Sequence, residues 1–195
     1  MTALAFQNGL ARLIIDPDFR DVVRTRGEAV LEGELSALER SRLCCIAADA
    51  GMDINRTLHK GFRLGKLRAL LPLTCAVLNS QRLSREVAVF WAQWPPSSFY
   101  FVPEAIEFCD FLRARRLRVK YLYEVVGYER ASLELERARH GAVPDQRVHF
   151  QHDPAVLLTT LANGRRPRGI PRRACIVTAT KDAAGRVHWE LQAGG

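Results

Sequence analysis

Up to Arg139 the apolar residues recur every three or four positions, the period of an amphipathic helix; from Gln146 onward the period changes. Phe6, Leu10, Leu13 and Ile14 predict a first helix over residues 3 to 14, and Asp16-Pro17 supplies a cap and first-turn proline for a second ending near Arg24. Ser36 and Glu39 have capping-box spacing ahead of the run Leu43 to Ala50, with Gly51 expected to stop that helix. Asp53 is then expected to cap a helix whose inner face is Leu58, Phe62, Leu67 and Leu70. Pro72 breaks it before a short buried helix, Leu73 to Leu78.

Ser84 is expected to start the next helix, with Val87, Phe90, Trp91 and Trp94 on one face, and Pro103 to sit in the first turn of another. In that one Ala105, Ile106, Phe108, Cys109, Phe111 and Leu112 face inward. Tyr121 to Arg139 is the longest candidate helix, closed by Gly141 and Pro144. Beyond it, Arg147 to Phe150 alternates as a strand does, Asp153-Pro154 opens a helix through Ala162, and Arg173 to Ala179 and Arg186 to Leu191 flank a turn at Asp182 to Gly185. The pattern predicts an α+β protein: a mostly helical body, residues 1–141, and a small C-terminal β-α-β-β unit with a short antiparallel sheet, residues 142–195.

An apolar fraction of 48% in 195 residues supports a real core and excludes disorder. The net charge of +8 suits an acidic partner, and Arg carries most of it, because Lys stands only at 60, 66, 120 and 181. Five cysteines with no CxxC pair read as reduced, buried thiols rather than a disulfide framework or zinc site. No signal peptide is evident before Gly9 and no apolar stretch reaches membrane length, so a cytoplasmic, soluble protein is expected.

Candidate chemistry is sparse. His149, His152 and Asp153 lie close in sequence but point in different directions along a strand entering a cap, so no metal ligand is assigned. His59 reads as a surface residue, and Cys75 lacks a nearby His and reads as core. No phosphate-binding glycine loop or nucleophile elbow occurs, so no catalytic residue is assigned and no cofactor is expected in this chain. The basic runs Arg115 to Lys120 and Arg165 to Arg168, with a helix and hairpin resembling a winged helix, give the alternative of a nucleic-acid-binding regulator. Its helix offers weak base readers, Thr159, Thr160 and Asn163, so the preferred reading has no nucleic acid.

Trp91, Trp94, Phe99, Tyr100 and Phe101 crowd around Pro95 and Pro96, the composition of a core closure or a docking surface. With them goes a family likeness. Gly61 to Leu67, Leu71 to Cys75, Pro96 to Phe101, Glu104 to Cys109, Tyr121 to Ala131 and His149 to Pro154 resemble the MbnC family of methanobactin biosynthesis proteins, over most of residues 35 to 191. The resemblance implies a non-catalytic accessory subunit of a heterodimer. Its partner would be an MbnB-like TIM-barrel enzyme with a multinuclear iron site. The pair would use oxygen to convert cysteines of a ribosomally made, MbnA-like precursor peptide into oxazolone and thioamide groups of a copper chalkophore. Iron would belong to the partner.

Within that reading, an extended leader peptide is expected to add as a strand to an exposed edge of the small sheet. The expected edge is Arg173 to Val177, with Val148 to Phe150 as the other candidate, and Leu157, Leu158 and Leu161 as the floor. The peptide-binding residues are thus Val148, Phe150, Leu158, Arg173, Cys175 and Val177, with the Arg165 to Arg172 loop pairing leader carboxylates. Phe62, Arg63, Phe99, Tyr100 and Phe101 are the expected partner interface.

Overall fold

A computed structural model of the chain describes residues 3–94, 101–138, 145–182 and 184–193. It is α+β: mostly helix, with a three-stranded antiparallel sheet near the C-terminus. The chain divides into two compact units, Met1–Arg63 with Trp94–Ser97, and Leu64–Gln93 with Ser98–Gly195. The expected boundary at residue 141 falls in 139–144, outside the described residues.

The first unit holds α1 (Ala3–Ile15), α2 (Pro17–Arg26), a 3-10 turn (Gly27–Val30), α3 (Ala37–Ala48) and the part of α4 (Gly51–Leu70) that ends at Arg63. Leu13, Phe19, Val23, Leu31, Leu43 and Ala47 make its core. Local signals set the helix starts: Asp16 accepts the Phe19 N–H at 3.0 Å, and Ser36 and Glu39 close a reciprocal capping box. Gly51 differs from expectation. Helix α3 has already ended at Asp49, whose carboxylate accepts the Gly51 N–H at 2.6 Å, and Gly51 begins α4. Asp53 therefore lies inside the first turn of α4, where it pairs with the buried Arg20.

The inner face assigned to α4 is also corrected. Leu67 is buried and Leu70 half-buried, but Leu58 is 67% and Phe62 53% exposed, in line with Ile54 at 64%. The i, i+4, i+8 spacing identifies a stripe correctly; what covers a stripe is decided by tertiary packing. The two ends of α4 pack into apolar clusters, Met52 in the first unit and Leu64, Leu67 and Leu70 in the second, while the stripe between them stays exposed.

The second unit continues with α5 (Pro72–Gln93), α6 (Phe101–Ala114), α7 (Leu122–Arg137), β1 (Gln146–His152), α8 (Pro154–Ala162), β2 (Arg172–Lys181) and β3 (Val187–Ala193). Helix α5 is broken at Asn79 (φ 58°, ψ 168°), whose side chain accepts the Arg82 N–H at 3.1 Å. The limb expected to start at Ser84 thus starts four residues earlier, because Asn79 tolerates the left-handed backbone and caps the turn that follows. Phe90, Phe108 and Phe111 centre one core cluster, with ring centroids 5.2 and 5.4 Å from Phe90.

The six inward residues expected of α6 are all buried. A second cluster joins the helices to the sheet: Tyr121 and Val125 meet Val148, Phe150, Leu157, Leu161, Cys175 and Val177. Asp153 caps α8 through the Val156 N–H at 3.1 Å, and Gly164 (φ 67°) takes the left-handed conformation just beyond its end. Asp182 closes the β2–β3 turn by accepting the Arg186 N–H at 2.8 Å.

Candidate functional site

Strand order in the sheet is β1-β2-β3. Arg173 to Val177 therefore lies on the middle strand, which corrects the expectation that it forms an open edge. Val177 is opposite Val148 on one side and Leu191 on the other, so neither of its flanks is open to an added strand. The open edges are β1, the other candidate, and β3.

Strand β1 alternates cleanly. Val148 and Phe150 are buried against the α7 and α8 core, while Arg147, His149 and Gln151 are exposed. Beside it runs a groove of about 500 Å³, walled by α7, by Arg113 at the end of α6 and by β1 itself. Gly127 lets α7 come close: a Cβ there would stand 3.2 Å from Val148 Cγ1. Glu124, one turn earlier, fixes the far end of the strand. Its carboxylate accepts the N–H groups of Gln151 and His152, each at 3.1 Å, and lies 2.8 Å from His152 Nδ1. The His152 ring also meets Tyr121 edge-on at 4.7 Å. His152 is thus a structural tie between strand and helix.

The charges of the groove are uneven. Arg130 is held by Asp110 through bonds of 2.8 and 3.2 Å. Arg113 and Arg147 are exposed and have no ion-pair partner among the described residues. An extended, acidic segment suits such a wall: backbone groups of β1 supply pairing, and the two guanidinium groups supply attraction.

The other peptide-binding residues expected from sequence are placed differently from one another. Leu158 is half-buried, and Cys175 is buried in the β-sheet core. Arg173 is exposed but pairs with Asp153 at 3.3 Å; Asp153 sits below the usual carboxylate range, first through the Val156 N–H and then through Arg173. Arg165 and Arg166 line a different cleft, beside α5. Of the expected partner surface, Phe62 is exposed on α4, Arg63 is 5% exposed, and Phe101 opens α6 with Lys66 Nζ 5.8 Å from its ring centroid. Phe99 and Tyr100 lie outside the described residues.

Cys45 is exposed, contrary to the expectation of uniformly buried thiols; Cys109 and Cys175 are buried. Burial, helped by Glu129, pushes the Cys75 thiol up to about 12, which leaves it un-ionised and poorly nucleophilic at neutral pH. Among the described residues no three His, Cys, Asp or Glu side chains gather as metal ligands, and no helix is long and apolar enough to cross a membrane.

Sequence reasoning missed Glu124, Gly127 and Arg130. Their i, i+3, i+6 spacing sets them on one side of the helix that carries Leu122, Val125 and Val126 inward, and that was the available signal. No protein-family model and no curated protein matches the chain.

Proposed function

We propose that this chain is the non-catalytic accessory subunit of an iron-dependent, peptide-modifying heterodimer of the methanobactin type, and that it holds the precursor's leader peptide along β1. The observation that carries this reading is the open edge of β1 beside the α7 groove, with Arg113 and Arg147 uncompensated at its wall. The family likeness read from Gly61 to Pro154 supplies the type of complex. The leader enters as a fourth strand, its backbone bonded to β1, so that the precursor's cysteines are presented to the partner's iron site. Oxygen chemistry belongs to that partner; this chain binds and orients.

The exposed stripe Ile54, Leu58 and Phe62 on α4 is the favoured docking surface for the enzyme. Three large apolar side chains in line on one helix are what a partner groove takes up in helix-in-groove recognition. Leu58→Asp is expected to weaken association with the enzyme by about tenfold or more while leaving the circular dichroism spectrum unchanged, since Leu58 is already mostly in water. Equal recovery of the enzyme with wild type and variant would move the interface elsewhere.

The experiment that tests the whole reading is coexpression with the neighbouring genes, affinity purification through this chain, and iron analysis and mass spectrometry of the eluate. A one-to-one complex with an iron-loaded barrel enzyme, and an oxygen-dependent mass change on a Cys-bearing peptide, is the expected result. Recovery of the chain alone, or with nucleic acid, would overturn it.

A further inference from the structure

A second cleft, which shares only Tyr121 with the β1 groove, has a strongly one-sided charge. It lies between α5 and the loop after α8, has a volume of about 610 Å³, and is lined by Arg82, Arg118, Lys120, Arg165 and Arg166 with no carboxylate in its wall. The five cations come from three separate stretches of chain within the second unit. None of them has an ion-pair partner among the described residues; Lys120 has only the Tyr121 ring, 4.7 Å from its Nζ. Gathering five like charges around one concavity is unfavourable unless an anion occupies it.

Two further features point to the kind of anion. Asn79 and Ser80 also line the cleft, at the break where the second limb of α5 begins, so the positive end of that helix adds to the side-chain charge. Tyr121, 6% exposed and part of the wall, has a buried hydroxyl with no hydrogen-bond partner, a donor available to a ligand oxygen. Guanidinium forks converging with a helix start suit the dense, multi-oxygen charge of phosphate groups better than a single carboxylate. The volume is more than one phosphate requires and is on the scale of small-molecule pockets, and Ala76, Val77 and Val119 add an apolar strip.

We propose that this cleft binds a small molecule bearing two or more linked phosphate groups. Arg82, Arg165 and Arg166 engage the phosphate oxygens, and the Val77 and Val119 side accommodates whatever the phosphates carry.

Calorimetric titration of the full chain with pyrophosphate and, separately, with ATP tests it at about 0.15 M salt, where exposed charges are screened beyond roughly 8 Å. Saturable one-to-one binding is expected, weakened about tenfold or more in Arg82→Gln/Arg165→Gln, a variant that removes no buried contact. Equal affinity for both ligands would assign recognition to the phosphate chain; tighter ATP would assign the apolar strip to a base, and either result supports the site. Absence of saturable binding, or affinity indifferent to the two substitutions, would overturn it. So would a hexaglutamate peptide or a single-stranded oligonucleotide that binds more tightly than either ligand through the same two arginines.

Discussion

Glu129→Ala is expected to lower the stability of the second unit by about 3 kcal/mol, the loss of two charge-assisted hydrogen bonds at a buried site, as read from urea denaturation followed by circular dichroism. Glu129 lies on α7 and is 5% exposed. Its two carboxylate oxygens accept the N–H groups of Leu73 at 2.7 Å and Thr74 at 2.8 Å, in the first turn of α5. First-turn amides have no partner within their own helix, and Pro72 offers no side-chain cap. A glutamate 55 residues further along the chain therefore does the work of an N-cap and joins two helices of one core. Removal strands the buried Thr74 donor and the half-buried Leu73 donor; a loss below about 0.5 kcal/mol would show that water replaces the carboxylate freely.

The same residue predicts a pH dependence. Burial raises the Glu129 pKa above its ordinary 4.5, opposed by the hydrogen bonds it accepts. A carboxyl with a raised folded-state pKa binds its proton more tightly folded than unfolded. Its contribution is thus fully present below pH 4.5 and declines as pH rises through the higher folded value. Glu129→Gln removes that slope. It keeps one acceptor for the two N–H groups, so it is expected to be less stable than wild type but flatter with pH over the window just above 4.5. Parallel stability curves for the two proteins in that window would contradict the assignment.

Glu129 and Glu124 also mark what the sequence could not disclose. Ser36 with Glu39, Asp16 with Pro17, Asp153 with Pro154 and Asp182 at its turn act on groups within four residues, and each is found where the sequence placed it. Glu124 and Glu129 act on backbone amides 27 to 56 residues away, and a carboxylate in a helix carries no local sign of such a partner. Strand order is non-local for the same reason. The apolar run Ala174 to Val177 gives no cue, because it reports burial of a strand's faces rather than its place in the sheet, and Ala174 is exposed. Strand β1, with Arg147, His149 and Gln151 turned outward, shows the alternation of a sheet with one face on the core. The α4 stripe failed for a third reason: a hydrophobic stripe left exposed has the same period as one facing the chain's own core.

His149→Pro is expected to weaken leader binding by about 100-fold, or roughly 2.7 kcal/mol, while association with the enzyme is retained. The Asp182 N–H bonds the Arg186 carbonyl across the turn, so along the regular register Val177 faces β1 and its partner Val148 faces β2, which leaves the N–H of His149 on the open side, toward the groove. Proline removes that donor and its ring blocks close approach of an added strand, yet an edge strand tolerates proline where the missing N–H pointed outward. The His149 side chain is exposed, so little packing is lost. Leu191→Pro, on the opposite edge strand β3, is the matched control: the Asp182 N–H bond to the Arg186 carbonyl and the β2–β3 register put the Leu191 N–H on the open side, and leader affinity is expected to stay within about threefold. Fluorescence anisotropy with a labelled leader separates the cases. Loss only in the His149 variant assigns the peptide to β1; loss only in the Leu191 variant transfers it to β3. Unchanged affinity in both would show that the leader is not held by strand addition, because any strand added to this sheet must pair with one of its two edges.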